Sequence, residues 1–360
     1  MLNSPRKIIH LDADCFFAAL EIRENPDLAD FPLAVGGDPG RRGVISTCNY
    51  LARQYGVHSA MPSAHAKRLC PELVIRRSNF PLYKQVSAQM FEIFTRFSEK
   101  IEPLSLDEAF LDVSDCQQFH GSATLIAKEI RRQVETELGI TVSAGVAPIK
   151  FLAKIASDWS KPNGLFTVTP DKVTEFVKDL PLQKLPGVGK VTREKLAREG
   201  LLYCRDLESY SEHELVQRFG RFGANLKRMS VGVDEREVKS SRERKSLSIE
   251  TTFARDISTP REIADQVDQL VAGLEERYNK LQRKVAVSKK FVKLKFDDFT
   301  QTTLESSVSR CGKIFSSQEF ERMCYAAWAR QKRPLRLLGV GLSFAERSHP
   351  QAQLSFPFAQ

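Results

Sequence analysis

An α/β (α+β), multi-domain fold follows from three observations on this 360-residue sequence. From residue 7 to 170, short apolar runs alternate with segments whose apolar residues recur every three or four positions, the mark of strands alternating with amphipathic helices. After Pro170 the pattern becomes short helices broken by Gly-containing turns, and from Leu247 strands and helices alternate again. The length suits about two to four compact units.

The elements follow in order. Lys7–Ala13 (KIIHLDA) predicts a first strand running into a helix that begins near CFFAALEI. The segment from there to Tyr83 includes VGGDPGRRGVIS and reads as a smaller inserted unit. Tyr83–Lys100 and Gly121–Leu138 predict helices; Ala109–Val113 and Ile140–Val146 predict strands. Residues 231–246 (VGVDEREVKSSRERKS) hold few apolar residues and read as a basic linker. Further on, FVKLKF alternates: Val292, Leu294 and Phe296 face one way, Lys293 and Lys295 the other, as in a half-buried strand.

Composition narrows the function classes. Hydrophobic residues make up 42% and charged residues 28%, ordinary for a soluble globular protein. No apolar run approaches the roughly 18 residues of a membrane span, and the N-terminal segment reads as a strand and not a secretory leader. The seven cysteines form no C-x-x-C pair, which argues against a disulfide framework or a zinc site and for a reducing cytosol. Net charge is +9, and between Tyr278 and Arg347 there are 15 Lys and Arg against 6 Asp and Glu. That asymmetry points to a polyanionic partner, nucleic acid before membrane.

Two places carry carboxylates within apolar stretches: Asp12 in HLDADCFFAAL, and Asp107 with Glu108 in SLDEAFLDV. Charge there is unfavourable unless something positive compensates it. Two such strands converging would offer hard oxygen ligands to Mg2+ or Mn2+. Neighbours on a regular strand point to opposite faces, so Asp107 and Glu108 can share a site only at a strand end, bulge or turn. Asp14 immediately precedes a helical pattern and is expected to cap that helix.

Six stretches together resemble the Y-family (translesion) DNA polymerases, in their bacterial group: HLDADCFFA, GVISTCNYLARQYGV, SLDEAFLDV, SAGVAPIKFLAKIASDWSKPNG, LPGVGKVTREKL and KLKFDDFTQTT. The resemblance implies a right-hand architecture: a palm from residues 1–14 and 79–170, fingers from 15–78, a helix-hairpin-helix thumb from 171–230, the linker at 231–246, a little finger from 247–347, and a tail from 348–360. It also implies nucleotidyl transfer, in which a primer 3′-hydroxyl attacks a deoxynucleoside triphosphate and pyrophosphate leaves, error-prone and without proofreading. The implied cofactors are two Mg2+ ions, with Mn2+ as a substitute. Asp12 and Asp107 would touch both ions, Glu108 would serve the catalytic one, and the Ala13 carbonyl would complete one coordination sphere.

The remaining roles are implied in the same way. Thr47, Tyr50, Arg53 and Lys161 would bind the triphosphate, aided by backbone N–H groups at the helix start near Cys15–Phe17. Phe17 would be the steric gate against a 2′-hydroxyl, with Phe16 beside it mostly packing. Gly187, Gly189 and Lys190 of the hairpin, Arg242 and Arg244 of the linker, and Lys293 and Lys295 would contact primer-template DNA along its phosphates, without reading sequence. The tail QLSFPF resembles peptides that dock into a sliding clamp through Gln353, Leu354, Phe356 and Phe358; Phe356-Pro357 stands where Leu is more usual. A monomer in the bacterial cytosol, with no membrane partner, completes this expectation. Two rivals stand beside it. A palm-type nucleotide cyclase would share the carboxylates but need no hairpin or basic C-terminal unit. A non-catalytic DNA-binding scaffold would explain the charge but not the carboxylates.

Overall fold

A computed structural model describes residues 5–241, 243–281, 285–308 and 313–345. They fall into two compact units that divide after Ser241, with the Pro39–Arg42 segment counted with the second. The clamp-like residues Gln353, Leu354, Phe356 and Phe358, and the linker residue Arg242, lie outside the described residues.

The first unit opens with β1 (Ile8–Ala13) and α1 (Phe16–Glu24). Then come β2 (Leu33–Gly36), β3 (Ile45–Cys48), α2 (Tyr50–Gln54), α3 (Ser63–Leu69) and β4 (Val74–Arg76). These strands make a small sheet, order β3-β2-β4, over a core that includes Ile45, Val57 and Leu73. The chain continues with α4 (Phe80–Thr95), β5 (Lys100–Pro103), β6 (Glu108–Asp112), α5 (Ala123–Leu138), β7 (Val142–Ala147), α6 (Lys150–Trp159) and β8 (Leu165–Thr167). The main sheet runs β5-β6-β1-β7-β8, with β1 antiparallel to both β6 and β7.

Period-two alternation along β1 sorts its side chains. Ile9, Leu11 and Ala13 enter the cluster that holds residues of α1, α4 and α5. Ile8 belongs to the cluster formed with α6. Register places His10 opposite Phe110 and Asp12 opposite Glu108. Phe16, Ala18 and Leu20 of α1 join the larger cluster, so the core of the small sheet excludes this helix.

The predicted all-helical stretch contains α7 (Val173–Lys178), α8 (Lys190–Arg198), α9 (Glu212–Phe219) and α10 (Arg221–Ser230). It has no private core. Val177, Leu196, Leu215 and Leu226 share one cluster with Phe151, Leu152 and Ile155 of α6. The linker also differs from a loose tether over its first half. Val238 is buried, Asp234 accepts from the Phe151 N–H at 3.1 Å, and Glu102 accepts from the Lys239 N–H at 2.8 Å. Sparse apolar content hid this because, beside the single buried Val238, the anchors are hydrogen bonds.

The second unit comprises β9 (Ser246–Ile257), α11 (Pro260–Asn279), β10 (Val287–Phe296), β11 (Gln301–Ser307), α12 (Ser317–Trp328) and β12 (Leu335–Phe344). The sheet order is β11-β10-β12-β9, all antiparallel. Val292, Leu294 and Phe296 are fully buried in its core with residues of both helices, as the FVKLKF alternation predicts.

One close approach governs the site that follows. Where α6 crosses β7, a Cβ on Gly145 would lie 2.0 Å from the Ala153 carbonyl oxygen and 2.3 Å from the Ser157 nitrogen. Gly145→Ala must therefore push α6 off the sheet. We expect a loss of about 2–3 kcal/mol in urea unfolding, with DNA synthesis falling as well; an unchanged unfolding midpoint would contradict the packing.

Candidate active site

The site lies where β1 and β6 end together. Asp12 and Glu108 face each other across the ladder, and the Ala13 N–H donates to the Asp107 carbonyl at 3.0 Å. The expected break before the strand is present. The Ser105 hydroxyl donates to Asp107 Oδ1 at 2.5 Å, and Ser105 Oγ accepts from the Glu108 N–H at 3.1 Å. This turn lets two consecutive acidic residues sit beside one strand end.

Each facing carboxylate holds a lysine. Lys161 Nζ lies 2.5 Å from Asp12 Oδ1 and 3.3 Å from Asp158. Lys154, on α6, pairs with Glu108. Burial lifts the Asp12 carboxyl above its ordinary value against the pull of Lys161. Burial works against the Lys161 ammonium too, but Asp12, Asp158 and Asp14 together hold its pKa up. Glu108 is drawn down to about 2 by the side chains of His10 and Lys154, with burial opposing them. Among the described residues, no group of three or more His, Cys, Asp or Glu side chains is placed so that it could hold a metal ion.

His10 and Lys154 were not among the residues the sequence pointed to. His10 is fully buried, with Nδ1 2.8 Å from Ser157 Oγ, Nε2 3.4 Å from Glu108 and its ring 4.7 Å from that of Phe110. Burial holds its pKa down. The helical spacing of Lys154 and Ser157 was the available signal, since residues three apart share a face.

Asp14 corrects an expectation. The N-cap of α1 is Cys15, in a left-handed conformation, and no side chain caps the helix. Asp14 instead accepts hydrogen bonds from Thr141, Ser143, Asn163 and Tyr50. A buried carboxylate so bonded has no oxygen to spare for a helix end.

The two phenylalanines differ in burial. Phe16 is buried in the core. Phe17 is half-buried and stacks on the Tyr83 ring at 4.3 Å and 13°, with Phe80 edge-on at 5.9 Å. Tyr83 is fixed in turn by its hydroxyl, which donates to Glu21 at 2.6 Å. The Arg53 guanidinium lies over the Tyr50 ring at 4.7 Å, and Arg53 Nε donates to the Cys48 carbonyl at 3.3 Å. Thr47 pairs with Val35 on the small sheet.

The other basic positions are distributed. Gly187 has φ +93° and would press a Cβ to 2.7 Å from Phe222. Gly189 starts α8 with no side-chain cap, and a Cβ there would meet nothing within 4 Å. Lys190 and Arg244 are exposed. In the second unit Lys293 pairs with Glu250 at 2.9 Å, and Lys295 lies 5.0 Å from the Phe299 ring centre.

Comparison with known proteins gives this geometry its family. The impB/mucB/samB family matches residues 11–158, its C-terminal domain residues 244–356, and a DNA polymerase-iota thumb domain residues 183–234. A DNA polymerase IV from Ectopseudomonas mendocina (strain ymp) is 53% identical over 349 residues, covering 97% of this chain and 98% of its own. A solved Y-family DNA polymerase chimera, Dbh-Dpo4(243-245)-Dbh, superposes with a TM-score of 0.85 at 28% identity, over 94% of this chain and 98% of its own. The chain belongs to the Y-family of DNA polymerases. A structure described as an insertion ternary complex of Dbh DNA polymerase is 27% identical, with a TM-score of 0.65 over 94% of this chain and 98% of its own. This Y-family polymerase is a DNA-directed DNA polymerase of the translesion type. The cyclase and scaffold readings are not favoured. Family membership implies dependence on a divalent metal. Among the described residues, no helix is long and apolar enough to cross a membrane.

The Glu108 environment has a pH signature. Its carboxyl titrates at about 2 in the fold against an ordinary 4.5, so its stabilisation is complete above 4.5 and is lost as pH falls through 2. In metal-free buffer, Glu108→Gln should cost on the order of 2–3 kcal/mol at neutral pH. Urea unfolding should show that difference narrowing towards pH 3; a gap independent of pH would exclude this account.

Proposed function

We propose that this Y-family polymerase extends a primer by nucleotidyl transfer at the shared end of β1 and β6, with Asp12, Asp107 and Glu108 as its catalytic carboxylates. The observation that carries this reading is the Asp12–Glu108 pairing, in which both side chains already draw a cation. The donor set fits a metal: three carboxylates and the Ala13 carbonyl are hard oxygen ligands of the kind Mg2+ and Mn2+ accept. The finer assignment is two Mg2+ ions per site, with Mn2+ as a substitute. Bound there, the metal would supply a lowered pKa for the primer hydroxyl and neutralise charge on the leaving pyrophosphate.

The chain's own groups do the rest. The primer oxygen forms a bond to the α-phosphorus as the bond to the pyrophosphate oxygen breaks. Lys161, next to Asp12, contributes positive charge for the triphosphate. Unpaired N–H groups opening α1 contribute donors, and α1 carries no side-chain cap to compete for them. Tyr50, Arg53 and Thr47 approach the phosphates from the fingers. Phe17, backed by the flat face of Tyr83, occupies the space a 2′-hydroxyl would need, and Phe16 holds it from the core side.

Primer-template DNA is gripped through its phosphates. Gly187 and Gly189 permit close approach, and the open space around Gly189 leaves room for a phosphate at the start of α8. Lys190, Arg242, Arg244, Lys293 and Lys295 add charge. We further assign Gln353, Leu354, Phe356 and Phe358 to a sliding clamp, and the enzyme to the cytosol as a monomer; the free described cysteines suit a reducing compartment.

Two variants test this reading. Asp107→Ala should lower primer extension with Mg2+ by roughly 10³-fold while leaving DNA affinity in place; activity within a few-fold of wild type would refute the site. Phe17→Ala should raise ribonucleotide incorporation relative to deoxyribonucleotide by roughly tenfold or more, read from matched primer-extension rates. Unchanged sugar discrimination would move the gate elsewhere.

A further inference from the structure

Asp14 has no place in the chemistry above, yet its surroundings are built around it. It is 2% exposed. Oδ1 accepts from the Ser143 hydroxyl at 2.8 Å and the Tyr50 hydroxyl at 3.3 Å. Oδ2 accepts from the Thr141 hydroxyl at 2.8 Å and from the Asn163 backbone N–H at 2.8 Å. A buried carboxylate needs such donors, and three of these four come from side chains able to bond elsewhere. The Asn163 N–H can only donate.

Asn163 is held from its other side as well. It has a left-handed backbone, φ +48°, a conformation that Asn adopts more readily than most non-glycine residues. Arg131 of α5 donates to Asn163 Oδ1 at 2.6 Å and to its carbonyl oxygen. The next residue, Gly164, donates its N–H to Ser143 Oγ at 3.2 Å. Asp14, Arg131 and Ser143 thus clamp residues 163 and 164, while Lys161, two residues earlier, reaches Asp12 at 2.5 Å.

We propose that Asp14 is a positioning residue for nucleotide binding: with Arg131 it fixes Asn163 and so aims Lys161 at the triphosphate beside Asp12. The proposal rests on the assignment of Lys161 to the triphosphate. Asp14 also receives the Tyr50 hydroxyl, whose single proton cannot serve Asp14 and a phosphate at once. With Tyr50 assigned to the triphosphate, that contact would be given up on nucleotide binding, whereas the Asn163 N–H has no such competitor.

The test is a mutant cycle in single-nucleotide primer extension with Mg2+, using Asp14→Ala and Arg131→Met, each with and without Lys161→Ala. Each single substitution should raise the KM for the incoming deoxynucleotide by roughly tenfold, with kcat within about twofold and primer-template affinity by fluorescence anisotropy unchanged. In the Lys161→Ala background both effects should vanish, because the clamp has nothing left to aim. Increases that multiply independently of Lys161, or an unchanged KM in both singles, would overturn the proposal while leaving the Lys161 assignment standing. Lys161→Ala with a wild-type KM would overturn that assignment and the proposal with it. Should Asp14→Ala fail to fold, Arg131→Met decides the matter from the other side of Asn163.

Discussion

The register of β1 against β6 is the constraint on which the first unit depends. Alternation gives one face of β1 to the cluster with α4 and α5 and the other to α6. On the α6 side the paired rows grade from the buried His10 and Phe110 to the half-buried Asp12 and Glu108. A slip of one residue would send the carboxylates to the apolar face and Ile9 and Leu11 to the other. Burial of the apolar set therefore fixes where the charges emerge. They emerge at the end of the sheet, where cations can reach them.

The helix α6 is the second half of that arrangement. One side presents Lys154 to Glu108 and Ser157 to His10. Its apolar residues share a cluster with the helical segment from Val177 to Leu226. The thumb helices thus rest on the same element that sets the electrostatics of the site. The close seat of α6 on Gly145 leaves little tolerance between them. Around this frame, Lys161 at Asp12 and Lys154 at Glu108 offset part of the negative charge of the site. A divalent metal carries twice the charge of either ammonium group, so its binding can displace these lysines from the carboxylates.

The second unit follows another logic. Its basic excess is real, but Lys293 and Lys289 carry acidic partners at 2.9 Å. Such surface pairs are weak and screened by salt, and a polyanion can displace them at small cost. Lys290 is different: it is buried, pairs with Glu319 and donates to the Lys313 carbonyl at 2.6 Å. A count of lysines along β10 could not separate the buried Lys290 from Lys289 and Lys293, which stay partly or fully exposed.

Strand and helix periodicity was legible in the sequence because it reflects which face is buried: Ile8–Ala13, the alternation of FVKLKF and the amphipathic Ala123–Leu138 helix all follow it. The break at Asp107–Glu108 was legible too, since two adjacent acids cannot share a site on a regular strand. The different roles expected of Phe16 and Phe17 came from the family resemblance and not from periodicity. What only the tertiary structure decided are contacts between residues distant in the chain: Tyr83 beneath Phe17, Lys154 on Glu108, the shared core of α6 and the thumb, and the anchoring of Asp234 and Lys239. Asp14 shows the reason most plainly. Its position before a helix fits a cap, a local role that sequence can suggest. Its partners are 36, 127, 129 and 149 residues away, and only the folded chain brings those donors to one buried carboxylate.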